Sequence, residues 1–196
     1  CDALTSVRIP AAVKTIGASA FSSCDALTAI DLPEGLTDIG GYAFYGCRAV
    51  TSVRIPAAVK TIGDSAFNRC SALTSVQAVC SAAIGKEAFS NCKALTEVSL
   101  TGSKISLESG VFSGCTSLEK LSITGAESSV GDAAMQYCRS LTTADLSGVV
   151  SVGAGAFAGC TSLTSVQLPN ASSIGDRAFY GCDALAEVTF PTGSTT

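Results

Sequence analysis

TSVRIPAAVKTIGDSAFNRC, residues Thr51–Cys70, holds the pattern from which nearly all of the chain is written. Its first thirteen residues, Thr51 to Gly63, recur letter for letter as Thr5 to Gly17, 46 residues earlier, which is twice 23. Looser copies fill the remainder. Aligned on cysteine, units start at Cys1, Cys24, Cys47, Cys70, Cys92, Cys115, Cys138, Cys160 and Cys182, a spacing of 22 or 23 residues that gives eight full units and a truncated ninth. A period of this size marks a solenoid, in which each unit is too small to bury its own apolar face and shares it with its neighbours. One solenoid domain is expected over residues 1–190, with 191–196 as a polar tail or linker.

Within a unit the apolar positions recur. Cys47, Val50, Val53, Ile55, Val59, Ile62, Ala66 and Phe67 are matched by Cys24, Leu27, Ile30, Leu32, Leu36, Ile39, Ala43 and Phe44. Val53 and Ile55 alternate with Ser52 and Arg54, the period-two signature of a strand. Proline closes that strand at Pro10, Pro33, Pro56, Pro169 and Pro191, because it has no N–H with which to extend a ladder. After a shorter apolar pair such as Val59 and Ile62 comes a corner glycine (Gly17, Gly40, Gly63, Gly85, Gly131, Gly153, Gly175), expected to hold a backbone angle other residues resist. Ala66, Phe67 and Cys70 then stand three and four apart, so a single helical or 3₁₀ turn would aim them together. The expected fold is an α/β or mainly-β solenoid with one short parallel strand per unit. Strands of adjacent units would lie about 4.8 Å apart. The middle units drift, losing the proline and replacing Phe by Met135, and irregular coils are expected there.

The pattern L-x-x-V-x-I-P…I-G-x-x-A-F-x-x-C, carried by Leu27–Pro33 with Ile39–Cys47, Val50–Pro56 with Ile62–Cys70, and Leu163–Pro169 with Ile174–Cys182, resembles the BspA-like leucine-rich repeats. The resemblance covers essentially the whole chain. It implies a right-handed leucine-rich-repeat coil. It also implies an extracellular or cell-surface setting and a part in adhesion or protein binding, and it brings no catalytic site to transfer.

Composition narrows the chemistry. Apolar residues make up 47% of the chain and charged residues 14%, which supports a continuous core. The net charge of -4, from 12 basic and 16 acidic residues, offers no basic stripe for a nucleic-acid backbone. No apolar run reaches the length of a membrane span, and no signal peptide is legible. Ten cysteines invite a zinc or disulfide reading, but close C-x-x-C pairs are absent, and side chains stacked in one direction aim poorly for bridging. Buried thiols acting as small hydrophobes are expected, with Cys80, off the ladder in a polar bend, as the one candidate for exposure and reactivity. There is no histidine to serve as a general base. Asp25, Asp64, Asp132, Asp176 and Asp183 recur at corners, where accepting backbone N–H groups is the expected role. No enzyme, metal or cofactor is expected.

Function would then rest on what points off the strands. Seven residues after each ladder cysteine stand Arg8, Asp31, Arg54, Gln77, Ser99, Ser122, Asp145, Gln167 and Thr189. Two residues earlier in each unit, Glu97, Lys120 and Glu187 occur among small polar residues. Arg8, Asp31, Arg54, Gln77, Glu97, Lys120, Asp145 and Gln167 are the candidate partner-binding positions, with mutual neutralisation of neighbouring charges as the bland alternative. Tyr42, Tyr45, Tyr137 and Tyr180 would lie on another edge, packed or as a second contact face. The favoured function is a non-enzymatic module binding a protein or carbohydrate, as part of a surface adhesin. The alternative is a structural scaffold segment in a larger assembly. Since the chain opens on Cys1 and its sole methionine is Met135, further repeats or caps at both ends, or self-association, are expected.

Overall fold

The alternation in Thr51–Pro56 becomes a strand at Ser52–Ile55, with Val53 and Ile55 buried and Ser52 and Arg54 exposed. This is a computed structural model, and it describes residues 1–190. The same strand recurs coil after coil, giving a parallel seven-stranded sheet from Ser52–Ile55 to Glu187–Thr189. Ser6–Arg8 and Ala29–Asp31 pair with each other as a separate two-stranded ladder. The neighbouring strands are in strict repeat register, so that Val53 meets Val76 and Val76 meets Val98.

One strand per unit proves too few. The second apolar pair also pairs coil to coil, as Thr15–Ile16, Asp38–Ile39, Thr61–Ile62 and onward to Ser173–Ile174, in an eight-stranded parallel sheet. Stacking places each residue over its counterpart one repeat away, so even two extended residues find backbone partners.

The expected helical return is likewise replaced. No helix occurs among the described residues. Each return segment instead holds two left-handed residues four apart, such as Tyr42 (φ 59°) with Gly46 (φ 70°), or Ser65 (φ 54°) with Arg69 (φ 63°). Left-handed residues interrupt a right-handed turn. Alternate N–H groups then leave the segment: Tyr42 donates to the Asp64 carbonyl at 2.9 Å, Phe44 to Ala66 at 2.7 Å and Gly46 to Asn68 at 2.8 Å. The N–H groups between them close tight local turns, Tyr45 to Tyr42 at 3.1 Å and Cys47 to Phe44 at 3.2 Å.

The corner glycines serve a purpose other than the expected one. Their φ values are not left-handed. A Cβ on Gly40 would come within 2.6 Å of the Ala18 nitrogen, and one on Gly131 within 2.6 Å of the Leu107 carbonyl oxygen. Successive coils approach backbone to backbone here, and only a residue without a Cβ permits it. Asp64 and Asp132 act beside these corners as expected, accepting N–H bonds from Lys86 (2.8 Å) and Ala154 (2.7 Å) of the next coil.

All eight inward positions of the third unit are buried. Phe21, Phe44, Phe67, Phe89 and Phe112 form one stack with centroids 5.0–5.4 Å apart. Buried Met135 takes the next place, and the stack resumes with Phe157 and Phe179. Beside it the ladder thiols from Cys47 to Cys182 donate to a carbonyl of the preceding coil, as Cys70 does to Phe44 (3.3 Å) and Cys92 to Phe67 (3.3 Å). The drifting middle is irregular at one point, a register shift between Ser128 and Ser129 where Ser128–Val130 pairs with Val149–Val152, while its first strands stay in regular register. Without proline, Ser75–Val79 and Glu97–Thr101 are the longest first strands, five residues each.

Candidate binding surfaces

The outward side of the first-strand sheet is divided. From Glu97 to Gln167 it holds a groove of about 450 Å³, lined by outward Glu97, Ser99, Lys120, Ser122, Asp145 and Gln167 with Thr143 and Ser165 between them. Small hydroxyl side chains at Ser99 and Ser122 leave room between longer charged neighbours. Register places Lys120 between Glu97 and Thr143, and Ser122 between Ser99 and Asp145. None of the ion pairs among the described residues involves Glu97, Lys120 or Asp145. Asp145 instead accepts the Ser147 N–H at 3.0 Å, which fixes its carboxylate.

The remaining candidates lie outside this groove. Arg8 and Asp31 are opposite in register and both exposed. Arg54 turns away from Asp31 and pairs with Glu34 at the corner of the preceding coil. The ladder is interrupted between Ala29–Asp31 and Ser52–Ile55, which frees Arg54 to lean. Gln77 is exposed on Ser75–Val79 but does not line the groove. The structure thus brings Glu97, Lys120, Asp145 and Gln167 to one groove and leaves Arg8, Asp31, Arg54 and Gln77 outside it, with Arg8 beside Asp31 and Gln77 beside Arg54 and Ser99 in register.

A second recess, of about 600 Å³, lies on the return turns, where exposed Tyr137 and Tyr180 flank Gly155, Gly159 and Gly181 with Gln136, Asp176 and Arg177. Tyr137 lies over Gly159, where a Cβ would meet the ring at 2.7 Å. Tyr42 is exposed on the same turn of an earlier coil, its ring 5.6 Å from that of half-buried Tyr45. A third recess of about 330 Å³ is lined by Arg48, Arg69, Ser71, Asn91 and Lys93. Sequence reasoning missed it because its residues straddle the ladder cysteines of three units, and only stacking brings them together.

Cys80 departs from expectation. It is 5% exposed, and burial pushes its thiol above the ordinary range. With no proline to end the strand, alternation continues through Ala78, Val79 and Cys80, carrying Cys80 inward and Val79 out to solvent. On the ladder, burial pushes the Cys47 thiol up to about 11 and drives Cys70 and Cys138 higher. These thiols are protonated at neutral pH, the opposite of what nucleophilic or metal-ligating cysteines require. No cluster of three potential metal ligands occurs among the described residues. No described helix is long and apolar enough to cross a membrane.

Parallel strand ladders wound on a 22–23-residue period, closed by glycine corners and filled by phenylalanine and cysteine ladders, define a leucine-rich-repeat solenoid. The chain belongs to the family described as BspA type leucine rich repeat region, whose model matches residues 1–81 and 82–196 in six copies. Its fold is similar to that of the T. pallidum leucine rich repeat protein TpLRR, with 23% identity over 93% of this chain and 78% of that one and a TM-score of 0.66. It is also similar to the pneumococcal vaccine antigen PcpA, with 17% identity, TM-score 0.60, and coverage of 91% of this chain but 56% of that one. A leucine rich cell surface protein from Faecalibacterium prausnitzii is similar at 23% identity over 100% of this chain and 62% of that one, TM-score 0.50. No curated protein matches the chain.

Proposed function

We propose that this is a non-enzymatic binding module of a surface-exposed adhesin, and that its groove between Glu97 and Gln167 receives a protein partner. The supporting observation is the groove itself: charged and amide side chains without ion-pair partners surround small hydroxyl residues on a regular parallel sheet. Such a surface discriminates partners by charge and hydrogen bonding, while the absence of aromatic anchors keeps affinity through it modest. The surface setting draws on two of the similar proteins, one described as a cell surface protein and the other as a vaccine antigen.

The test is a single variant carrying Glu97→Ala, Lys120→Ala, Asp145→Ala and Gln167→Ala, compared with wild type for binding to immobilised extracellular-matrix proteins and to an array of glycans. Loss of binding to a matrix protein with an unchanged circular-dichroism melt is expected. Binding confined to the glycan array would replace the protein partner with a carbohydrate, and a silent variant would leave the scaffold reading. That second reading has its own support. Val7, Val13 and Phe21 of the first described coil are half-buried, whereas their counterparts Val53, Val59 and Phe67 are buried, and in a scaffold this apolar face is where a neighbour would stack. Growth of native mass with concentration, abolished by Val13→Lys, would favour it.

A further inference from the structure

The recess at Arg48, Arg69, Ser71, Asn91 and Lys93 has a composition unlike the rest of the surface. The chain carries 16 acidic and 12 basic residues, yet three of those basic residues line one recess of about 330 Å³ with no carboxylate in its lining. Every polar side chain lining it can donate a hydrogen bond.

The repeat explains the convergence. Arg48, Ser71 and Lys93 each follow a ladder cysteine and so occupy one column on three consecutive coils; Arg69 and Asn91 precede a ladder cysteine and occupy the adjacent column. With coils about 4.8 Å apart, Arg48 and Lys93 stand about 10 Å from each other with the small Ser71 between them. That spacing sets a cation on either side of the serine, with Arg69 in the adjacent column, an arrangement suited to a small anion. Arg48 also meets a carboxylate, that of exposed Asp25 at 3.6 Å, which does not line the recess. The Tyr45 ring lies 5.9 Å from the Arg69 guanidinium and steadies it.

A second observation concerns backbone. Arg69 has φ 63°, while the same repeat position is glycine at Gly46, Gly114, Gly159 and Gly181. Ser23, Asn91 and Tyr137 hold the same left-handed position in other coils, so the backbone there accepts a side chain and aims that of Arg69 beside that of Asn91. Because every coil repeats this backbone, what sets the recess apart is the set of donors it gathers, not the left-handed turn.

We propose that this recess binds a tetrahedral oxyanion, a sulfate ester or a phosphate, at a location separate from the sheet groove. The site is independent of the groove reading, because none of its residues lies on the strand face.

Two probes are used on the whole chain by titration calorimetry, a heparin-derived hexasaccharide for sulfate esters and a short-chain polyphosphate for phosphate. The variant Arg48→Gln, Arg69→Gly, Lys93→Gln should bind the preferred probe at least tenfold more weakly. A control with the same charge change, Lys14→Gln, Lys60→Gln, Lys104→Gln, should stay within threefold of wild type. Arg69→Gly alone should weaken binding while leaving the melting temperature equal or higher, since glycine relieves the left-handed strain. Preference for the hexasaccharide identifies sulfate esters, and preference for polyphosphate identifies phosphate. Equal loss in the control variant, or no binding of either probe to wild type in dilute salt, overturns the proposal.

Discussion

Two stretches of the solenoid differ at one repeated position. Pro10, Pro33 and Pro56 stand nine residues after their ladder cysteines, and so does Pro169, whereas Val79, Thr101, Thr124 and Ser147 occupy that place in the middle coils. In the first three coils the first strands are three, three and four residues long, and the ladder breaks between the second and third. In the proline-free coils the strands reach five, five and four residues before returning to three, and the ladder is continuous. The longest strands are proline-free, although Thr143–Asp145 keeps three residues without a proline and Ser52–Ile55 reaches four before one. The polar groove begins on the extended coils.

What both stretches share should dominate stability. The Phe stack runs from Phe21 to Phe112 through proline-closed and proline-free coils alike, so Phe89→Ala is expected to cost about 3–5 kcal/mol by urea denaturation. A loss below about 1 kcal/mol would mean that the coils collapse around the gap and that the stack is not the common core.

The thiols come next. Cys47, Cys70 and Cys138 are raised by burial on the shared ladder, and Cys80 is a further raised thiol found only where proline is lost. A raised folded-state value means that the folded chain keeps protons the unfolded chain releases, so this stability is complete below the unfolded thiol range and fades as pH climbs through the folded values. Melting temperature should hold to about pH 8.5, the ordinary thiol value, and fall progressively above it. Cys80→Ala should lessen the fall, and a flat profile to pH 11 would contradict thiol burial. Maleimide labelling at neutral pH should find Cys1 fast, Cys182 slower and Cys80 protected until unfolding.

Much of this architecture is legible in the sequence alone. The inward letters of Thr51–Cys70 name the buried set, and the cysteine spacing names the coils. The failures have local causes. Thr61–Ile62 is too short for alternation to reveal, and becomes a strand only because Ile39 and Ile84 flank it in register. The left-handed returns carry no signal, because Tyr42, Ser65, Glu87 and Arg177 hold positive φ without being glycine. Corner glycines look like turn residues but are there for close contact, a property of two coils that one coil's sequence does not display. The groove is half legible: Glu97, Lys120, Asp145 and Gln167 converge on it, while the lean of Arg54 toward Glu34 depends on the ladder break.

The proline comparison can be broken directly. The Thr124 N–H donates to the Leu100 carbonyl at 3.1 Å, so Thr124→Pro deletes that bond in the extended stretch. The expected cost is about 1–3 kcal/mol, from an unsatisfied carbonyl and local strain. The amides of Lys120–Ile123 should also exchange faster with solvent. Unchanged stability and exchange would show that proline and strand length are unrelated here.

The reverse exchange, Pro56→Val, should have the smallest effect and the sharpest readout. Valine restores an N–H at the repeat position that Thr124 occupies, and the equivalent acceptor one coil earlier is the Leu32 carbonyl. A new backbone bond contributes about 0.5–1.5 kcal/mol. Losing proline returns freedom to the unfolded chain and costs about 0.4–1 kcal/mol. The two nearly cancel, so the melting temperature should move by only about 3 °C either way, since 1 kcal/mol corresponds to about 2–4 °C in a chain of this size. Hydrogen exchange resolves what the melt cannot, because the amide at position 56 should be as protected as that of Val76 in the adjacent strand. If it exchanges freely, the short strands of the first coils have a cause other than proline, and the ladder break between the second and third coils becomes the better candidate.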